Sequence, residues 1–326
     1  MAQIVTMGEM IVEIMRTETD APLDKPALFR GPFPSGAPAI FIDTAARLGA
    51  KTAIVGGVGN DDFGKCLTER LEKDGVDCSY VVKSSAASTG CAFVMYYSNG
   101  DRKFIFHIGN TPAVSPEVPD DGIFDGIRYY HIMGCSLSAS IPFGKKIIQT
   151  MKNASAKGAK ISFDPNIRPE LMGDPEALEL ILEAKKYANV LLPGKSELML
   201  ITGCDDIPSA VKKAFENPVL ELLIVKNGSK GCIVYTREEE YAIGVYPVEV
   251  QDATGAGDSF DAALLASLIA EKPLEEAVKI ATAAASLNTA AFGPMEGRIS
   301  PETVRELMSK TRLEKEEVCP CFQAMK

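Results

Sequence analysis

Short, nearly continuous apolar runs alternate with longer segments of helical periodicity along most of this 326-residue chain. Such runs are typical of parallel strands that are buried on both faces, because crossover helices cover each face. The apolar runs are 4–7, 52–55, 129–133, 160–163, 190–192 and 222–225, and the helical segments include 40–48, 65–74, 142–157, 175–187 and 207–216. The alternation predicts a layered α/β fold with a mostly parallel sheet flanked by helices.

Two regions depart from this alternation. Residues 10–33 contain two strand-like pieces joined by a Pro-rich link, which is too short for a crossover helix. Residues 90–108 contain two β-rich runs separated by Asn99-Gly100, a strong hairpin signal. Together they predict a small β-sheet beside the main domain, suited to act as a lid that excludes water from a site.

Composition limits the classes of partner and the compartment. The chain carries 34 Lys and Arg against 44 Asp and Glu, and its formal charge of −10 argues against a nucleic-acid partner. The first residues lack the basic start of a secretion signal, and no apolar run reaches membrane-spanning length. We expect a cytoplasmic protein, no membrane association, one α/β domain over 1–313 and a tail over 314–326.

The cysteines give no sign of a metal or disulfide framework. The eight cysteines are scattered without ligand-like pairing through a chain too long to need disulfides for stability. Cys319 and Cys321 lie close together in the tail, but no second Cys or His pair accompanies them, so we assign them no function.

The most informative local feature is the run Asp252-Ala-Thr-Gly-Ala-Gly-Asp-Ser-Phe260 at the start of a helix-patterned segment. The small residues Gly255, Ala256 and Gly257 let backbone N–H groups approach an anion, and a helix N-terminus favours negative charge. Asp258 follows directly, where a carboxylate can take a proton from an attacking hydroxyl. The alternatives are a tight turn in which Asp258 only complements the helix dipole, and Asp261 as the reactive carboxylate.

Other glycine-rich readings fail on spacing. A dinucleotide-binding loop needs G-x-G-x-x-G, but Gly255 and Gly257 are followed by Phe260. Gly194-Lys195-Ser196 imitates the end of a Walker A loop, but the glycine required five positions earlier is Asn189. Hydride transfer and P-loop chemistry are therefore not supported.

Two separated motifs resemble those of the ribokinase-like (PfkB) carbohydrate kinases. Residues 252–258 match the D-x-[TV]-G-A-G-D pattern of that family near its C-terminus. Residues 35–39, followed by 45–49 and 55–64, are similar to its N-terminal motif. The resemblance covers most of the chain and implies an ATP-dependent sugar kinase with Mg²⁺ carried on the nucleotide.

The resemblance also implies a role for individual residues. Asp258 would be the base, with Gly255, Ala256 and Gly257 as the anion hole and Arg168 stabilising charge. The sugar would contact Glu13, Gly36, Ala37, His107, Arg168, Asp252 and Asp258. ATP would contact Asn166, Lys226, Gly228, Lys230, Gly231, Gly255, Gly257 and Asn288. Glu197 would act on Mg²⁺ through water, and Asp252 and Thr254 are candidates for a monovalent cation such as K⁺.

Departures from the family pattern narrow the substrate. Ile40 stands where many relatives have an Asn that binds a sugar hydroxyl, and Gly194 replaces the Asn of an N-x-x-E element. Glu13 replaces a frequent Asp, and its longer side chain can still accept from two hydroxyls. The stretch 105–107 lacks the Arg with which relatives hold an acidic sugar, which leaves His107 as a polar group there.

We therefore expect phosphoryl transfer to a small ketohexose, tagatose- or fructose-like, since 31–43 resembles a tagatose kinase subgroup. The first alternative is a 2-keto-3-deoxygluconate kinase, in which Arg168 alone would hold the carboxylate. A nucleoside kinase would use Phe104 and Phe106 to stack on a base, and a non-catalytic sugar-binding regulator is a further alternative. Apolar lid faces favour a homodimer in which lids pair.

Overall fold

The computed structural model of the protein describes residues 1–313; the predicted tail, with Cys319 and Cys321, lies outside the described residues. The strands are β1 (Ile4–Met7), β2 (Ile11–Arg16), β3 (Phe29–Ser35), β4 (Thr52–Gly59), β5 (Val76–Asp77), β6 (Val81–Ser84), β7 (Gly90–Tyr96), β8 (Arg102–His107), β9 (Tyr129–Met133), β10 (Lys160–Asp164), β11 (Ala188–Leu191), β12 (Leu222–Lys226), β13 (Cys232–Tyr235) and β14 (Glu240–Ile243).

The α-helices between them account for the remaining layers. They are α1 (Ala37–Arg47), α2 (Asp62–Lys73), α3 (Gly134–Ala139), α4 (Ile141–Ala156), α5 (Pro175–Tyr187), α6 (Lys195–Thr202), α7 (Ile207–Ala214), α8 (Ala256–Ile269), α9 (Leu274–Thr289) and α10 (Pro301–Lys310). Within 1–313, none of these helices has the length and apolar character needed to cross a bilayer.

The main sheet has the order β14-β13-β12-β11-β10-β9-β1-β4-β5, with β6 paired to β4. The strands from β12 to β5 run parallel, and β13 and β14 add an antiparallel edge. The predicted strands and helices all occur within a few residues of their expected bounds. The layered, mostly parallel α/β fold is confirmed.

Helices cover both faces of this sheet. Consecutive strand residues point to opposite faces, and Ile4 belongs to the apolar cluster beneath α1, α8 and α9, whereas Val5 belongs to the one beneath α4 and α5. The apolar runs lack alternation because both faces are buried. The carboxyl ends of the strands are left as the open edge where a ligand can bind.

The second sheet, which we call the lid, has the order β3-β2-β7-β8. Its strands come from the two regions that broke the sequence alternation, and Asn99-Gly100 lies in the turn between β7 and β8. Pairing places Glu13, Ala92 and Phe106 in one row, so they share the face that turns toward the main sheet. The small β-sheet predicted beside the main domain is confirmed.

Candidate active site

The glycine-rich run forms the turn that starts α8. Gly255 is the residue before the helix and has φ 78°, a left-handed conformation that favours glycine. A Cβ at this position would lie 2.5 Å from the carbonyl oxygen of Pro294. The first N–H groups of a helix have no partner within it, so this tight turn presents amides at the open edge of the sheet. We call Gly255–Asp258 the nest.

Asp258 lies in the first turn of α8 and is only 5% exposed. Its Oδ1 accepts a hydrogen bond of 3.0 Å from Nδ2 of Asn166. Burial, reinforced by Asp164, raises the pKa of Asp258 to about 7, although Arg168 and Lys226 act in the opposite direction. A carboxyl group with a pKa near the working pH is well matched to general-base catalysis.

The rival carboxylate, Asp261, lies one turn further along α8. Its side chain is fully buried, and both carboxylate oxygens lie 3.2 Å from Nζ of Lys226. Asp258 lines a cavity, whereas Asp261 is absent from its lining. Of the two carboxylates, Asp258 is the one that a substrate hydroxyl can reach.

Two cavities meet at the nest. The first, of about 240 Å³, lies between the lid and the ends of β10 and β12, and we call it the inner cavity. The second, of about 580 Å³, lies between α8, α9 and residues 245–250, and we call it the outer cavity. Both are lined by Arg102, Lys226, Ala253 and Gly257. A group held in one cavity can therefore be passed across the nest to the other.

The comparisons with known proteins agree with this arrangement. Residues 1–300 match the sequence model of the family described as "pfkB family carbohydrate kinase". The chain is 32% identical over 320 residues to Fructokinase-1 of Zea mays, covering 94% of this chain and 98% of that protein. It is 34% identical over 277 residues to a fructokinase of Solanum tuberosum, covering 84% of this chain and 83% of that protein.

A solved structure extends the likeness to three dimensions. A putative ribokinase II of E. coli, in complex with ATP and Mg²⁺, superimposes with a TM-score of 0.89 at 34% identity, covering 95% of this chain and all of that chain. The chain belongs to the pfkB family of carbohydrate kinases. It is therefore an enzyme that transfers a phosphoryl group, and the ribokinase-like resemblance seen in its motifs is confirmed.

The deep end of the kinase's inner cavity carries Glu13, which is 5% exposed. Its Oε1 accepts a hydrogen bond of 2.7 Å from Ser35, whereas its Oε2 is buried without a partner. Burial raises the pKa of Glu13 to about 7. Gly36 and Ala37 line the same end, as predicted from the N-terminal motif, and so does Ile40, which offers no hydrogen bond.

Sequence reasoning missed Glu9, which lies in the short link between β1 and β2 and lines the inner cavity. Its carboxylate accepts hydrogen bonds from the hydroxyl of Ser136 and, at 3.2 Å, from the thiol of Cys135. Burial raises the pKa of Glu9 despite these donors. The deep end of the cavity thus holds two buried acidic side chains. The signal in the sequence was an acidic residue two positions after a buried strand.

One residue of the lid for which a sugar contact was predicted lies away from the inner cavity. His107 is exposed on the outer face of β8, with its ring edge-to-face against Phe93, so it does not line the inner cavity. The alternation of β8 instead turns Arg102, Phe104 and Phe106 inward. The position of His107 therefore does not support its predicted contact with the sugar, because the residue has the parity of the outward face.

Arg102, which sequence reasoning did not identify, reaches from the lid to the nest. Its Nη1 donates to Oγ1 of Thr254 at 3.0 Å, and its side chain lines both cavities. Tyr96 from the neighbouring strand donates to Asp252 at 3.0 Å and lies 3.1 Å from the same Thr254 hydroxyl. These contacts tie the lid to the segment that leads into α8.

Arg168 and Asn166 follow β10 and both line the inner cavity. Asn166, for which an ATP contact was predicted, does not line the outer cavity. Asn166 adopts φ 38°, which is unusual for a residue other than glycine, and this directs its amide at Asp258. Arg168 lies next to it, close enough to Asp258 to lower the pKa of that carboxyl. Its positive charge is available to an anion at the nest.

Some of the residues predicted to bind ATP line the outer cavity. Gly228, Gly231 and Lys226 line it. Residue 231 must be a glycine, because its φ is positive and a Cβ there would lie 2.0 Å from the carbonyl oxygen of Ile243. Lys230 is exposed and does not line the cavity, so its assignment to ATP is not supported by its position. The remaining lining includes Val245, Tyr246, Val248, Val250 and Phe260, which gave no nucleotide signal in the sequence.

Asn288, for which a contact with ATP was predicted, does not line the outer cavity. It is almost fully buried beneath the nest, where its amide donates to the carbonyl oxygen of Thr254 at 2.7 Å. The residues of α9 that line the outer cavity are Thr282, Ala285, Ser286 and Thr289. The predicted helix is present. On it, Asn288 stabilises the backbone that leads into the nest, and its position does not support the predicted contact with the nucleotide.

The predicted metal residues have specific protein partners. Glu197 lines the inner cavity, and its two oxygens accept from the amides of Ile167 and Gly194 at 2.8 and 2.7 Å. Asp252 accepts from the amides of Thr254 and Gly293 and does not line either cavity, so its position does not support the predicted sugar contact. Within 1–313, no group of three or more His, Cys, Asp or Glu side chains is arranged to hold a metal ion.

Proposed function

We propose that this kinase transfers the γ-phosphoryl group of ATP to a hydroxyl of a small ketohexose, fructose- or tagatose-like. One observation carries the proposal: the inner and outer cavities share Gly257 of the nest, and Asp258, the next residue, lines the inner cavity. The inner cavity suits a hexose in size, whereas the larger, mostly apolar outer cavity suits a nucleoside. The fructokinases of Zea mays and Solanum tuberosum support a ketohexose as the acceptor.

In this proposal Asp258 takes the proton of the attacking hydroxyl at Oδ2, since Oδ1 is held by Asn166. The amides of Gly255–Asp258 and the side chains of Arg102 and Arg168 face the negative charge that develops as the phosphoryl group passes. Lys226, which lines both cavities, adds positive charge behind Gly257. The lid holds the hydroxyl in place and keeps water out.

Magnesium fits this arrangement as a metal carried on nucleotide phosphates, where it would neutralise phosphate charge. Glu197 is the residue that would hold its water shell, because its oxygens face the inner cavity while accepting from two backbone amides. We keep Asp252 and Thr254 as the proposed neighbours of a monovalent cation such as K⁺. Replacement of K⁺ by a larger organic cation tests that assignment, with lower turnover expected.

Sugar recognition would depend on the acidic end of the inner cavity. The Oε2 atom of Glu13 is a buried acceptor without a partner, and a sugar hydroxyl can donate a hydrogen bond to it. A buried acceptor that stays without a hydrogen bond costs free energy. Glu9 and Glu13 together disfavour an acidic sugar, because a bound carboxylate would lie near two buried carboxyl groups. This favours a neutral ketohexose over 2-keto-3-deoxygluconate.

A coupled ATP assay across fructose, tagatose, aldohexoses, 2-keto-3-deoxygluconate and nucleosides tests the proposal. We expect the highest kcat/KM with fructose or tagatose and a value at least about tenfold lower with the acidic sugar. Preference for 2-keto-3-deoxygluconate or for a nucleoside would reject the ketohexose assignment while keeping the kinase. Loss of transfer with every acceptor would favour a sugar-binding regulator.

We also propose that the enzyme is a homodimer in which lids pair. The outer lid surface exposes Ile105 at 42% and Phe29 at 39%, with Leu28 beside them at 70%, and apolar patches of this kind favour association. Ile105→Glu should shift the mass measured by light scattering toward the monomer, with exposed Val82→Glu as the matched control. The cytoplasmic location and the domain boundary at residue 313 stay predictions.

A further inference from the structure

A buried carboxylate that lines the inner cavity has no part in the steps proposed so far. Asp164 is the last residue of β10 and is almost fully buried. Its Oδ2 accepts from Nζ of Lys226 at 2.7 Å, and the same ammonium group lies 3.2 Å from both oxygens of Asp261. Strands β10 and β12 and helix α8 are thus joined by one lysine between two aspartates.

Asp164 also fixes Asn166. Its Oδ1 accepts from the backbone N–H of Asn166 at 3.1 Å, and its Oδ2 lies 3.4 Å from Nδ2 of that residue. These contacts stabilise the positive φ of Asn166, a conformation that is costly for a side chain other than glycine. The same Nδ2 donates to Asp258 at 3.0 Å. A continuous series of contacts therefore runs from Lys226 through Asp164 and Asn166 to Asp258.

We propose that Asp164 is a positioning residue for Asp258: anchored by Lys226, it holds the amide of Asn166 against one oxygen of the base. The other oxygen is thereby kept toward the inner cavity, where the sugar hydroxyl would be. This inference rests on the proposed function, since it takes Asp258 as the base. Asp164 itself touches no reacting atom.

The charge of Asp164 gives the proposal a measurable consequence. Burial disfavours its ionised form, but the Lys226 ammonium, the contact with Asp261 and the nearby His131 together outweigh burial and lower the pKa of Asp164. Asp164 is therefore a fixed negative charge that raises the pKa of Asp258, second only to burial. The titratable and charged groups that face Asp258 are Arg102 from β8, Cys135 from α3, Asp164 and Arg168 from β10 and its following loop, Lys226 from β12 and Asp261 from α8.

The first test is Asp164→Asn, which keeps the shape of the side chain and removes its charge. We expect kcat to fall about 10- to 100-fold with the sugar KM changed less than about threefold, because the base is less well oriented while the sugar contacts remain. We also expect the acidic limb of the kcat/KM profile to move to lower pH by about one unit. Losing a negative neighbour lowers the pKa of Asp258, and this exceeds the rise from a weaker Asn166 hydrogen bond because Asp164 is second only to burial in raising that pKa.

The second test is Asn166→Ala, which carries no change of charge and does not depend on the folding of the first variant. Removing a donor to the carboxylate should move the acidic limb to higher pH, opposite to Asp164→Asn. In the double variant, Asp164→Asn should lower kcat by less than about threefold beyond Asn166→Ala, because Asp164 acts through the missing amide. A purely structural role predicts neither the opposite shifts nor this lack of additivity.

Asp43→Asn is the matched control. Asp43 is another buried aspartate between cations, 3.6 Å from Arg47 and 3.5 Å from Arg70, but it lines neither cavity. The Asp43→Asn variant should leave the acidic limb of the kcat/KM profile at the same pH. An unmoved limb in Asp164→Asn, or full additivity with Asn166→Ala, overturns the proposal. Asp258→Asn separates the two levels: if that variant keeps normal turnover, the proposed base itself is wrong.

Discussion

The inner and outer cavities are neighbours, but their linings differ in chemistry. The inner cavity is lined by ionisable groups, among them the buried Glu9, Glu13 and Asp258 and the half-buried Arg168. The outer cavity is lined mainly by aliphatic, aromatic and hydroxyl side chains, with charge only at its shared end. Burial makes every charge in the first cavity sensitive to its neighbours, whereas shape dominates the second. Substitutions should therefore have large, pH-dependent effects in one cavity and small effects in the other.

The largest effect is expected for Asp258→Asn. Without a base, kcat should fall by about 100- to 10,000-fold, because proton transfer by a positioned side chain contributes that much. ATP binding should change little, as the nest amides remain. Steady-state kinetics and ATP titration measure both. Asp261→Asn is a useful companion, and a larger loss of turnover there than at Asp258 would reverse the assignment of the base.

Glu13→Gln should follow in size. The change keeps the shape but removes the acceptor that faces the sugar, and hydrogen bonds to charged groups contribute about 1.5–3 kcal/mol. The sugar KM should rise about 10- to 100-fold while the ATP KM stays within about twofold, as measured by varying each substrate in turn. An equal rise in both constants would show that the two cavities are not separate in function.

A substitution in the outer cavity should show the reverse pattern. Ala285 of α9 lines that cavity, and Ala285→Leu would fill space that a nucleoside needs. Overpacking of this kind costs about 1–3 kcal/mol, so the ATP KM should rise about tenfold with the sugar KM unchanged. Ala283, which is buried on the same helix away from the cavity, provides Ala283→Gly as the control.

The smallest effect is expected for His107→Ala. His107 lies on the outer face of the lid, so the kinetic constants should stay within about twofold of the parent at every pH. Arg102→Ala, five residues away on the inward face, should lower kcat at least about tenfold, since it removes positive charge from the nest. If both changes lowered kcat equally, the outward face of β8 would contribute to turnover as much as the inward face, and the assignment of Arg102 alone to the nest would be wrong.

The accuracy of the sequence predictions follows the range of the interactions behind them. The strands, the lid and the nest depend on local periodicity and glycine spacing, and Gly255 and Asp258 lie together at the start of α8. Positions differ from expectation where the direction of a side chain depends on packing. Asn288 is on the predicted helix but does not line the outer cavity, and His107 is on the predicted lid strand but on its outward face. Glu9 and Asp164 were missed because their importance comes from partners more than 60 residues away.

The short link between the two sheets has a further mechanical consequence. Only Gly8, Glu9 and Met10 separate β1 from β2, and a Cβ on Gly8 would lie 2.3 Å from Pro38 and 2.5 Å from the Ser136 hydroxyl. The lid is thus held closely against the main domain at this corner. Because Glu9 lies in this link, a displacement of the lid there would also displace the acidic end of the inner cavity, where the sugar would bind.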